Sequence, residues 1–124
     1  MALEKLTDSV SLTATASMAA AQFFTVKGDV ANTDQFVVAG AGEKALGVCQ
    51  DNSAAGVVCQ IGTKGESKAV AGAAIVQYAA LTPDGVGRLV TATTGDYVIG
   101  WARDAVAAAG EIVTVYLEGP YVSP

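Results

Sequence analysis

The chain contains no histidine, and the chemistry that this excludes is broad. Without imidazole, the usual general base near neutral pH and the commonest metal ligand are both missing, so Ser-His-Asp and Cys-His arrangements are ruled out. Cysteine is scarce as well. Cys49 and Cys59 are too few for a disulfide framework and, without histidine, for a zinc site. They flank one expected hairpin, where the reading is two small buried core thiols, with their pairing left open. No window approaches the roughly 18 consecutive apolar residues of a membrane-spanning helix. The opening Met1-Ala2-Leu3-Glu4-Lys5-Leu6-Thr7-Asp8 has early acids and no unbroken apolar stretch, so it does not read as a signal peptide, and synthesis in a cytoplasm is expected. Basic residues are few and scattered: seven Lys and Arg stand against twelve Asp and Glu, for a net charge of -5. Phosphate neutralisation needs a concentrated cationic surface, so nucleic acid is not an expected partner; with no apolar span, neither is a membrane.

Carboxylates remain, and nothing in the sequence organises them for catalysis. Asp96 with Asp104 and Asp84 with Glu111 are the available pairs, yet no motif brings either together, and Asp84 and Asp96 stand at turns where Asp bonds local backbone. Gly40-Ala41-Gly42-Glu43-Lys44 lacks the Gly-Lys-Ser/Thr ending of a phosphate loop and reads as a strand connection. Asp51, Asp84 and Asp104 lie in no alternating run of acids of the kind a calcium loop needs. No catalytic residue, metal or cofactor is expected. Tyr97 and Trp101 on one strand face fit a sugar platform less well than core or subunit contacts.

What the sequence does have is repetition. Gly42, Gly47 and Asp51 match Gly95, Gly100 and Asp104 at a spacing of 53, and Gly56 matches Gly110 after a one-residue insertion. Leu46 falls on Ile99 and Val48 on Trp101, while Val57 and Val58 are matched to Ile112 and Val113. The two related stretches are 36–61 and 89–115. With 124 residues, the length prior gives one domain in which both halves share one core. A duplicated run of strands and turns points to a building block rather than an enzyme.

The remaining pattern is all-β. Fourteen glycines give frequent turns, and short strands are predicted at 23–26, 35–39, 45–50, 57–61, 67–70, 74–80, 89–92, 98–103 and 112–117. Gly62 to Glu66 reads as a connection between strands, Thr82-Pro83-Asp84-Gly85 as a turn, and Ala105 to Ala109 as a hairpin loop too short for a stable helix. The last two predicted strands are apolar on both faces, which suits one face to the core and the other to a neighbouring subunit. The fold class expected is a small β-barrel or sandwich-like domain at 23–124 preceded by an extended N-terminal arm at 1–22. Within the arm Ser9 to Thr15 alternates as a strand, and 17–22 is long enough for one helical turn. Its apolar residues Leu3, Leu6, Val10 and Leu12 need a surface to lie on.

Three stretches carry a family resemblance: Pro83-Asp84-Gly85-Val86-Gly87-Arg88-Leu89-Val90-Thr91-Ala92, Gly95-Asp96-Tyr97-Val98-Ile99-Gly100-Trp101-Ala102 and Ala108-Ala109-Gly110-Glu111-Ile112-Val113-Thr114-Val115. Together with Gly47-Val48-Cys49 through Ile61, they resemble the small head decoration, or cement, proteins of tailed bacteriophages, over about Phe23 to Leu117. The resemblance implies a barrel-like homotrimer on the outer capsid surface of the virion, at three-fold or local three-fold positions, whose partners are the major capsid protein and itself. It also implies an N-terminal arm lying along the shell or a neighbouring subunit, which makes Leu3, Leu6, Val10 and Leu12 the expected capsid contacts. The second repeat carries Tyr97, Trp101 and Tyr116 where the first has Lys44, Val48 and a small-residue setting, so these three are the expected subunit interface. Two other roles fit the same strands: a tail or baseplate component, and a carbohydrate-binding module using Tyr97, Trp101 or Tyr121.

Overall fold

In the computed structural model, residues 5–14, 22–28, 35–50 and 58–122 are described; Leu3, 17–21 of the expected helical turn, and the hairpin loop at 51–56 lie outside them. Nine strands follow in order: β1 Lys5–Ala14, β2 Thr25–Gly28, β3 Gln35–Val38, β4 Gly47–Cys49, β5 Val58–Val70, β6 Ala80–Pro83, β7 Leu89–Thr91, β8 Tyr97–Ala102 and β9 Ile112–Val122. The all-β barrel expected from the sequence is present. Hydrogen bonding runs β1-β3-β2-β4-β5-β9-β8-β6-β7, and β1 also pairs with β5. That extra pairing closes β1, β3, β2, β4 and β5 into a five-stranded barrel, with β1 parallel to β3 and every other pair antiparallel.

The remaining strands repeat this ring. β5 pairs with β9, β9 with β8, β8 with β6 and β6 with β7, all antiparallel. The ring closes at a single parallel bridge, Ala71↔Leu89, beside the bond from Gly72 N–H to the Leu89 carbonyl at 2.8 Å. Thus the second half of β5 plays the part of β1, and the chain is two tandem barrels that share one long strand.

Register shows the equivalence residue by residue. Val26↔Gly47 and Leu81↔Gly100 correspond, as do Val26↔Val38 and Leu81↔Thr91. Val48↔Gly62 and Cys49↔Ile61 recur as Trp101↔Tyr116 and Ala102↔Val115. Leu12↔Cys59 recurs as Ala69↔Val113. Even side chains repeat: Gln22 Nε2 donates to the Gln50 carbonyl at 3.2 Å and Gln77 Nε2 to that of Arg103 at 3.1 Å. The repeat therefore begins well before residue 36, and it includes β1 and β2.

These registers correct several expectations. Val58 matches Ile112 and Cys59 matches Val113, one residue away from the sequence pairing; a one-residue slip exchanges faces, and accordingly Val58 and Ile112 are exposed while Cys59 and Val113 are buried. Gly62 to Glu66 is no connection but the middle of β5, because β1 pairs with its backbone from Ser9↔Gly62 to Lys5↔Glu66. The strand expected at 74–80 begins only at Ala80, since Tyr78 takes a left-handed φ of 70° incompatible with extended chain. The turn placed at Thr82 starts two residues later, where the Asp84 carboxylate accepts from Val86 N–H and Arg88 N–H, both at 3.0 Å. The expected single core is two clusters. Val26, Phe36, Cys49, Cys59 and Ile61 fill the first barrel, and their equivalents Leu81, Leu89, Ala102, Val113 and Val115 belong to the larger cluster of the second. Ala39, Ala45 and Val48 join that larger cluster from the first repeat and so tie the barrels together.

Two glycines permit the narrow rings. A Cβ on Gly47 would collide with the Gly62 carbonyl oxygen and one on Gly100 with the equivalent Tyr116 carbonyl oxygen, so the facing strands approach too closely for any side chain. Gly47→Ala and Gly100→Ala are each expected to lower stability by about 1–3 kcal/mol through overpacking. Gly28→Ala, where a Cβ meets nothing within 4 Å, is expected to change little. Urea denaturation of the three variants checks this.

Candidate functional site: an aromatic face on the second barrel

The pairs Trp101↔Tyr116 and Tyr116↔Glu66 place three side chains in a row across β8, β9 and β5. Trp101 and Tyr116 stack with centroids 5.3 Å apart and an interplanar angle of 21°. Tyr78 also packs against the indole, at 5.8 Å and 51°. Arg103 ion-pairs with Glu66 at the end of the row, and the Gln77 amide fixes the Arg103 carbonyl. Offset aromatic contacts of this kind are favourable, yet the cluster leaves much of its area in water: Tyr78 is 68% and Tyr116 38% exposed. Three aromatics on one wall of a chain with only eight make this the largest concentration of unburied ring surface among the described residues.

Tyr78 is held in place by its backbone. Its N–H donates to the Ala102 carbonyl at 2.7 Å, as Phe23 N–H does to that of Cys49 at 2.6 Å, and both residues have positive φ, 70° and 65°. A left-handed aromatic costs of order 1–3 kcal/mol, so the same strained turn is kept in both repeats.

Of the residues expected at a subunit interface, Trp101 and Tyr116 come together. Tyr97 is 37% exposed on β8 and pairs with Val122 of β9; its N–H donates to the Gly42 carbonyl of the other barrel at 3.0 Å and its carbonyl accepts from Thr82 Oγ1 of β6 at 2.7 Å. Tyr78 was missed by sequence reasoning, although the shared Gln-aromatic pair at Gln22-Phe23 and Gln77-Tyr78 signals it. Of the residues expected to contact a capsid, Leu3 lies outside the described residues and the other three lie in β1. Leu6 and Val10 lie in β1 opposite Gly65 and Ile61, and Leu12 packs against the first barrel's core beside Phe24 and Val38. The N-terminal segment 5–14 is thus a strand of the first barrel, paired edge to edge with β5. Leu12→Ala is expected to destabilise the fold by about 1–2 kcal/mol, below the ~2–5 kcal/mol of a fully buried leucine. A thermal melt indistinguishable from wild type would mark Leu12 as peripheral.

The acidic candidates are engaged in turns. Asp96 Oδ2 accepts from Thr93 N–H at 2.9 Å, and Asp104 Oδ1 from Thr114 N–H at 3.0 Å. Glu43, equivalent to Asp96, accepts from Gly40 N–H at 2.5 Å. The Lys27 ammonium at 2.9 Å, followed by the Gly40 amide, holds its carboxyl below the usual glutamate value. Cys49 and Cys59 are buried thiols, not a disulfide.

The geometry defines the protein's class as a tandem pair of five-stranded barrels with one exposed aromatic wall. No protein-family model matches the chain, and no curated protein matches it in sequence. Among solved structures, it is similar to the N base of head fiber gp8.5 of bacteriophage phi29, with a TM-score of 0.73 and 17% identity, covering 94% of this chain and 98% of that one. At that identity the likeness is one of fold.

Proposed function

We propose that this chain is a phage virion structural protein, a decoration protein of the outer head surface that acts as a homotrimer and stabilises the shell by binding the major capsid protein. The observation that carries this reading is the likeness in fold to a head-fiber base, over 94% of this chain and 98% of that one. The sequence resemblance to head decoration proteins points the same way. The role is structural and not catalytic, in keeping with carboxylates engaged in separate turns and the lack of histidine.

The mechanism is clamping. Capsid shells are held by many weak interfaces, and an oligomer that touches several capsid subunits couples them. One contact of about 800 Å² per partner gives modest affinity once association entropy is subtracted. Three linked contacts raise avidity without new chemistry. Purified protein is expected to cosediment with expanded heads and to ignore immature ones. Equal binding to both contradicts the geometric basis of the clamp, and binding only to tails or baseplates assigns the protein to another part of the virion.

A further inference from the structure

The two barrels meet through surfaces whose equivalents are open elsewhere on the same chain. In the first repeat, Phe23 is partly buried and Val48 fully so, both against the second barrel's cluster. Phe23 lies under the Lys68 ammonium, 5.6 Å from its ring centroid, and Gln50 Nε2 donates to Ser67 Oγ at 2.9 Å. Their equivalents in the second repeat are Tyr78, Trp101 and Arg103, which form the exposed aromatic wall.

The opposite face shows the reverse. In the second repeat, Ile99 is 4% exposed within the cluster that joins the barrels, whereas its equivalent Leu46 is 39% exposed. Leu46 lines a shallow depression with Lys27, Gly28, Lys44 and Ala45. The corresponding place on the second barrel, around Pro83 and Tyr97, is filled by the Gly42 turn of the first: Gly42 N–H donates to the Pro83 carbonyl and the Gly42 carbonyl accepts from Tyr97 N–H, both at 3.0 Å. Gly42 and its equivalent Gly95 share a left-handed φ, 67° and 93°, but a Cβ on Gly95 would meet nothing within 4 Å. Among the described residues, one chain thus carries an uncovered half of its own inter-barrel joint at each end.

We propose that a second copy of this chain docks head to tail, setting its Lys27, Gly28, Lys44 and Leu46 depression over the Gly95 turn and the Tyr78-Trp101-Tyr116 wall of the first. The contact reproduces the internal joint. Gly95 N–H donates to the carbonyl of Gly28 in the second copy, and Lys44 N–H of that copy donates to the Gly95 carbonyl. A heterologous contact of this kind closes into a ring or runs on as a filament. The inference rests on the self-association in the proposed function and specifies its interface: a closed ring of three is the trimer.

Thr94→Cys and Lys44→Cys, made separately in the full chain, test the contact. On mild oxidation, mixing the two variants is expected to give a covalent Thr94→Cys to Lys44→Cys dimer at several times the yield of either variant alone. Trp101 is the chain's one tryptophan, so its emission is expected to shift to the red when dilution dissociates the oligomer, and Tyr78→Ser is expected to move that transition to at least tenfold higher concentration. Light scattering on the same samples separates the failures. An oligomer that gives no mixed disulfide and whose Trp101 emission is indifferent to dissociation overturns this interface and leaves self-association standing. A monomer at every concentration overturns both.

Discussion

Strand β5 is the constraint on which the rest of the molecule depends. Its first half completes one barrel by pairing with β1 and β4, and its second half opens the next by pairing with β9. A ring of some 60 residues buries too small a fraction of its surface to be more than marginally stable alone. Running one unbroken backbone through both rings removes a linker and fixes their relative rotation. It also lets Ala39, Ala45 and Val48 extend the larger cluster across the joint. Each copy of the unit is then supported by its neighbour, as in repeat proteins, where stability is divided between units and the interfaces that join them.

Much of this was legible in the sequence, because glycine positions are fixed by backbone geometry rather than by side-chain packing. Gly47 and Gly100 are imposed by strand approach, Gly42 and Gly95 by left-handed turns, and all four keep the spacing of 53. The first two strands of each repeat escaped for a physical reason. Leu12 answers to Ala69 and Val26 to Leu81 at spacings of 57 and 55, since loops of different length intervene, and core positions accept any apolar side chain of suitable combined volume. Gln22 and Gln77, which tie down equivalent carbonyls, and the small Ala14 and Ala71 remain identical at that end. For the same reason, the aromatic wall was half visible: Trp101 stood out against Val48 and Tyr116 against a small-residue setting, while Tyr78 lay in the part of the repeat whose spacing had drifted.

Divergence between the copies follows from their positions in the chain. The joint-facing side of the first repeat carries Val48 and Gly62, small enough to admit the second barrel, whereas the same side of the second repeat carries Trp101 and Tyr116 in partial contact with water. Duplication supplied two like surfaces, and among the described residues only one of them is covered by the chain itself. An external role for the other agrees with a protein whose proposed work is to hold neighbours together, with no reaction to perform.

The shared strand is tested most directly by native-state amide hydrogen exchange at increasing denaturant. If β5 makes one cooperative unit of both barrels, the amides of Cys59–Ile61 and of Ser67–Ala69 exchange through the same global opening, with equal free energies and equal denaturant dependence. Exchange of the two halves through separate openings of different size would show two independent barrels joined end to end, and would contradict the account.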